Sequence, residues 1–439
     1  MPLNFHSDTD GRTLLAWTGP RLHRFHVRTV KRVEMRDDNN PGRYGFSEGE
    51  VTSEERHKAR EARRKAKRAA KKERVLQTYS FEKVISSASL VKAAMLSKKG
   101  VNWKASVQRY MINVMRNTWT LRQKLLKGES VVQGFICFDL IERGKLRHIR
   151  SVHFKERVVQ RSLCDNALVP VLSRGLTYDN GASIKGKGIH FAMFRCRDHL
   201  RQYYRKHGNN RGWVLQVDFK GYFDNIEHGP TREMLEKNFT DERLLSLAWG
   251  FVDSFGEKSL GIGSQVSQIL AVAYCSAVDH YAVEMLGLNL SARYNDDSYF
   301  IHESRQYLEY CLAILSKKWE ALGIRINWKK TQIIPLRKFT FLKVRFETTD
   351  AGKVIMRPCR KSITKQRQKL KAFRKAVDRG EMSIDDVRAS YESWRGYNRH
   401  MNGYKSIINM DKLYFDLFGL VPSEIRKKRK RRERKCLLM

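Results

Sequence analysis

An α+β fold is expected of this chain, and three observations lead to it. Short apolar runs end in a carboxylate or flank a tight turn, as buried strands do, the clearest being Trp213-Val-Leu-Gln-Val-Asp218. Between such runs lie segments with apolar residues at helical spacing, such as Val107, Tyr110, Met111, Val114 and Met115. Glycine-containing loops lead from one type of segment to the other, and 439 residues suffice for two or three compact units with sizeable cores.

Taken in order, the first fifty residues mix Gly, Asp, Asn, Pro and Arg without a period and read as a loosely ordered appendage. From Ser53 to Gln77 the chain turns to Ala, Glu, Lys and Arg, strong helix formers that offer no apolar face. This stretch is expected to be a solvated basic helix, serving as a linker or as an RNA contact. Helices should follow from Ser80 to Lys127, then a hairpin over 134–149 with Arg143-Gly144 as its turn, and a helix over 157–163. Ile184-Lys-Gly186-Lys-Gly188 opens another helix, as an ordinary turn or as a phosphate cradle. Asp218 should stand at the rim of a sheet, and Tyr294-Asn-Asp296-Asp297 at a turn between two short strands. Asp224 is expected to cap the helix after it. Beyond Lys353 the pattern is of basic helices with Trp394 and Tyr397 in their core, and the chain ends in a basic tail.

Charge narrows the function. With Lys+Arg 86 against Asp+Glu 46, a net charge of +40 and a pI near 10.1, the natural partner is a polyanion, nucleic acid before membrane surface. Seven scattered cysteines without a CxxC pair argue against a zinc module and a disulfide framework, and a reducing cytoplasm fits them. No apolar stretch approaches a membrane span, and the amino terminus lacks the pattern of an export signal. In so basic a chain, the acidic clusters at Asp218 and at Asp296-Asp297 are most simply explained as magnesium ligands of a phosphoryl-transfer site. Asn-Asp-Asp alone would also make a good turn.

Between the two clusters lies Leu260-Gly-Ile262-Gly263-Ser-Gln-Val-Ser267-Gln268, a glycine loop running into a helix. In this order the motifs resemble those of bacterial reverse transcriptases, RNA-directed DNA polymerases of the right-hand type. Asp218-Phe-Lys-Gly-Tyr-Phe223-Asp looks like the first palm motif, and Tyr294-Asn-Asp-Asp297 like the Tyr-x-Asp-Asp box. Gly144-Lys145-Leu-Arg147 resembles the fingers hairpin, Lys155-Glu-Arg157-Val-Val-Gln160 its following helix, and Asn327-Trp-Lys329-Lys330-Thr331 the region after the box. The resemblance spans about Ser80 to Asn409. It implies fingers over 79–212 with part of the palm, a palm of antiparallel sheet and helices over 213–350, a helical thumb over 351–420, an extension over 1–78 and a tail over 421–439.

The same resemblance implies catalysis by Asp218, Asp296 and Asp297, with two Mg²⁺ held by these carboxylates and the Phe219 carbonyl. It places Lys145, Arg147, Arg157, Phe223, Ile262, Gly263 and Lys329 at the nucleotide, with Phe223 as the block to a ribose 2′-OH, and Ser267, Gln268 and Tyr294 at template or primer. The implied partners are an RNA template, a DNA or RNA primer and dNTPs, with an accessory protein or structured RNA as a further candidate and no membrane. Ile262-Gly-x-x-x-Ser267-Gln268, where many family members have Pro-Gln-Gly and Ser-Pro, is closest in style to diversity-generating retroelements and to group II intron-like and defence enzymes. A maturase or scaffold on the same fold, and an antiphage defence enzyme, are the alternative readings.

Overall fold

The structure, a computed structural model, describes residues 53–142 and 145–423. The expectations for the first fifty residues, for the turn Arg143-Gly144 and for the basic tail lie outside the described residues. Two compact units are distinguished, Met1–Ala66 and Lys67–Met439, and their boundary falls within the first described helix, α1 (Ser53–Thr78). This is the expected basic helix, exposed along most of its length apart from buried Val75 and half-buried Lys72, and laced by i,i+4 pairs such as Lys58 with Glu54.

Four short helices follow, α2 (Phe81–Ile85), α3 (Ser87–Ser97), α4 (Ala105–Ile112) and α5 (Val114–Leu126). Ser86 starts α3 by accepting from the Ser89 N–H at 3.2 Å. The apolar spacing read across 107–115 holds for Val107 and Tyr110, which are buried, but not for Met115. Asn113 leaves helical geometry (φ −115°, ψ 43°), which resets the phase between α4 and α5 and turns Met115 outward. The strands β1 (Phe135–Glu142) and β2 (Lys145–Val152) form an antiparallel ribbon closed by the pair Glu142 and Lys145, as the hairpin expectation requires.

After the ribbon come α6 (Phe154–Leu163), α7 (Val169–Leu172), α8 (Ile189–His207), β3 (Trp213–Val217), α9 (His228–Asn238), α10 (Glu242–Asp253), α11 (Gln265–Tyr274) and α12 (Ser276–Glu284). The hairpin β4 (Ser291–Tyr294) and β5 (Asp297–His302) leads into α13 (Arg305–Glu320) and β6 (Gln332–Pro335). A meander of β7 (Lys338–Phe341), β8 (Val344–Thr348) and β9 (Val354–Pro358) precedes α14 (Arg360–Asp378), α15 (Ile384–Asn398) and α16 (Tyr404–Phe418).

The central sheet runs β4-β5-β3-β6, with every neighbouring pair antiparallel. Its middle strand β3 is apolar on both faces because both are covered. Leu215 and Val217 join a core built with α6, α10, α11 and α13, whereas Val214 packs with Tyr299 and Ile301 against α8 and the meander. A third cluster, centred on Leu370, Val387, Tyr391 and Tyr414, holds α14–α16 together. Trp394 packs onto this cluster, as expected, whereas Tyr397 leaves the helical core and packs onto the second, donating to the Leu342 carbonyl of the meander. Asp224 does not cap the helix after it. It lies in a 3₁₀ turn, Phe223–Asn225, and the residue at the α9 amino terminus is Glu227, because the extra turn separates Asp224 from the helix start. Among the described residues no helix is long and apolar enough to cross a membrane.

Candidate active site

Register determines which carboxylates meet. Along β3 and β5, Val217 pairs with Ser298, so the next step of the same ladder sets Asp218 across from Asp297. Along β4 and β5, Tyr294 pairs with Asp297, which leaves Asn295 and Asp296 as a two-residue hairpin loop. Asn295 takes a left-handed conformation (φ 55°), which asparagine tolerates better than most residues. Asp218, Asp296 and Asp297 therefore share one end of the central sheet.

The segment after α13 wraps around Asp218. The Asn327 N–H donates to the Asp218 carbonyl at 2.8 Å, and the Lys220 N–H to the Arg325 carbonyl at 2.8 Å. These bonds flank the bridge between Phe219 and Ile326, so the Phe219 carbonyl points away from that strand. The Asp218 carboxylate accepts from Asn327 Nδ2 at 2.6 Å and from Lys330 Nζ at 3.1 and 3.2 Å. The Thr331 hydroxyl accepts from the Asp218 N–H at 3.3 Å. Lys329, the lysine expected at the nucleotide, is exposed in the same turn; Lys330 is the one that reaches the carboxylate. Among the described residues, no three His, Cys, Asp or Glu side chains gather in a metal-holding group.

The glycine loop meets the β1–β2 ribbon and α6. The Arg150 N–H donates to the Ile262 carbonyl at 3.1 Å, and a Cβ on Gly263 (φ 130°) would stand 2.4 Å from the Arg150 carbonyl oxygen. Only glycine permits that approach. Gly263→Ala is expected to cost on the order of 1–3 kcal/mol and to lower nucleotide incorporation. Gly229→Ala in α9, where nothing lies within 4 Å, should be neutral or slightly stabilising, and urea unfolding of the pair checks both.

Below the loop, Ser264 caps α11 by accepting from the Ser267 N–H at 3.3 Å and donates to Gln160 Oε1 at 3.0 Å. The Gln265 N–H donates to the same Gln160 oxygen at 3.1 Å, and Gln160 donates to Glu156 at 2.9 Å. Glu156 is wholly buried, and burial pushes its carboxyl up against the opposing hydrogen bonds from the Gln133 N–H and Gln160. Nothing local in the sequence signals this relay, although Gln160 belongs to the Lys155–Gln160 motif that resembles the family's fingers helix.

The remaining candidates fall around this frame. Ile262 is half-buried, Ser267 faces the core from α11, and Gln268 is exposed. Phe223 packs beside the loop, its carbonyl accepting from the Leu260 N–H at 3.0 Å. Lys145 opens β2, and Arg147 lies further along it, four residues before Ser151 and on the same face. Arg157 donates to the Ser151 hydroxyl at 3.2 Å, so Arg147 and Arg157 serve the same side of the ribbon. Tyr294 is half-buried at the end of β4. In the glycine-lysine loop, Lys187 turns inward to donate to the Tyr178 and Asn180 carbonyls, which makes it a structural clasp.

A buried ion pair anchors the acidic hairpin from behind. Arg293 of β4 donates through Nε and Nη2 to Asp279 of α12, at distances of 2.6 to 2.9 Å. Burial opposes the charge on Arg293, but the adjacent Asp279 outweighs it and holds the guanidinium above its ordinary pKa. Alongside, burial would raise Asp179, yet hydrogen bonds with His199 and Arg195 hold its carboxyl below the usual range.

Residues 139–346 match the family described as reverse transcriptase (RNA-dependent DNA polymerase). The chain is 24% identical over 220 residues to Protein YkfC of Escherichia coli strain K12, an alignment that covers 48% of this chain and 53% of YkfC. It thus spans about half the length of that relative. Similar solved structures include telomerase from Candida albicans in complex with a fragment of telomeric RNA, at TM-score 0.42 and 14% identity over 60% of this chain and 55% of that one. Apo telomerase from Candida tropicalis gives 0.37 and 14% over 55% and 53%. The segment that matches the reverse transcriptase family, 139–346, contains the three carboxylates and the glycine loop between them.

Proposed function

We propose that this chain is an RNA-directed DNA polymerase that copies an RNA template by two-metal phosphoryl transfer. One observation supports the reading: within the segment that matches the reverse transcriptase family, Val217 pairs with Ser298, so that continuing the ladder brings Asp218 toward Asp297, with Asp296 in the hairpin loop. The donor set, carboxylate oxygens with a backbone carbonyl at Phe219, is one that Mg²⁺ favours. When bound, two Mg²⁺ ions supply activation of the primer 3′-hydroxyl and neutralisation of the triphosphate and leaving pyrophosphate.

The chain's own groups do the positioning. Asp218, Asp296 and Asp297 hold the metals, and the Lys330 ammonium balances Asp218 before they arrive. Lys145, Arg147 and Arg157 draw the triphosphate onto the ribbon, and Lys329 approaches it from the turn beside Asp218. Phe223, packed next to the glycine loop, closes the space a ribose 2′-OH would need. Ile262 and Gly263 line the nucleotide, and Ser267, Gln268 and Tyr294 lie toward template and primer. In this reading 79–212 are fingers, 213–350 palm and 351–420 thumb.

Primer extension on an RNA template with dNTPs and Mg²⁺ tests it. Incorporation that stops on chelation is expected; no extension on any template would favour the maturase or scaffold reading. The Ile262 loop supports a retroelement enzyme of the diversity-generating kind. An apolar side chain there cannot donate the hydrogen bond that glutamine gives, so Ile262→Gln should lower misincorporation. Equal error rates in the two proteins would sink the idea.

A further inference from the structure

Residues 87–128 hold nine Lys or Arg and no Asp or Glu. They form α3, α4 and α5, ahead of the reverse transcriptase domain. Each helix buries one face, in α5 through Thr118, Leu121 and Leu125. At 100° per residue, Met115, Trp119, Arg122 and Leu126 fall in a single stripe about a quarter-turn from that buried face. Met115 is 67% exposed and Trp119 59%, and at the ends of α4 Ile112 is 78% and Trp103 75% exposed.

Large apolar side chains exposed in succession along one segment mark a candidate binding face. Their neighbours identify the occupant. The Lys104 ammonium lies 5.4 Å from the Trp103 ring centroid, and Arg116 and Arg122 stand one turn on either side of Trp119. Protein interfaces are depleted in lysine, whereas aromatic rings set among unopposed positive charges suit bases that stack and phosphates that follow.

We propose that α3–α5 form a second nucleic-acid-binding face, which takes single strands by stacking bases on Trp103 and Trp119. Lys98, Lys99, Lys104, Arg116 and Arg122 track the phosphates. The face lies outside the matched segment, and its binding assays do not depend on the polymerase reading.

Fluorescence anisotropy of the full chain with labelled oligouridylate, oligothymidylate and a duplex of equal charge provides the test. Trp103→Ala/Trp119→Ala should weaken single-strand binding at least about tenfold, leave duplex binding unchanged, and preserve extension of a short primer–template. The ribo and deoxy arms decide which strand the face prefers. Lys98→Gln/Lys99→Gln/Arg122→Gln should flatten the dependence of log affinity on log salt by roughly 0.7 for each phosphate that is no longer neutralised. Unchanged single-strand affinity in the tryptophan variant, an equal loss on duplex, or an unchanged salt slope would overturn the proposal. Displacement of the strand by polyglutamate as readily as by RNA would assign the face to an acidic protein and overturn it equally.

Discussion

Replacing Asp218 by asparagine is expected to leave a folded protein that no longer extends a primer. The Lys330 ammonium that neutralises Asp218 is more than half exposed, so removal of the ion pair should cost no more than about 1 kcal/mol of stability. On the proposed two-metal reading, activity should fall at least about a thousandfold, equivalent to about 4 kcal/mol in the transition state, through loss of a metal ligand. Asp296→Ala should behave alike. Steady-state incorporation and urea unfolding, measured on the same preparations, separate the two effects. Activity of either variant within tenfold of the parent would refute the site.

The second large effect lies behind the hairpin. Asp279→Ala leaves the Arg293 guanidinium buried without its carboxylate, and about 3–5 kcal/mol of folding stability should be lost. Activity should fall with it, since β4 and the loop bearing Asp296 are held from that side. Arg293→Met/Asp279→Leu removes both charges and should recover most of the stability, because no unpaired charge remains. If the double variant is no more stable than Asp279→Ala, the loss comes from packing and the electrostatic account fails. Thermal unfolding with primer extension checks both points.

The local half of this site was legible in the sequence. An apolar run ending at Asp218, a turn at Asn295-Asp296 and a glycine loop before α11 are each set by neighbouring residues, and each takes the expected form. The unforeseen contacts all join distant segments. Lys330 reaches Asp218 across 112 positions, and Gln160 holds Ser264 across 104. A polar side chain's need for a partner is visible in sequence, but its choice of partner is a property of the folded core. Asp224 and Met115 miss their expected roles for smaller reasons, an added 3₁₀ turn and a break at Asn113 that shift the phase by a residue or two.

The near-contact between Gly263 and Arg150 also bears on motion. With a hydrogen bond from the Arg150 N–H to the Ile262 carbonyl and no room for even a methyl group beside it, loop and ribbon cannot slide past one another here. A swing of the ribbon would then pivot at Arg150, with the strand from Ile149 back toward the tip as the lever. A displacement at the tip would be felt as torque at the start of α11, so ribbon and glycine loop are set as one mechanical unit.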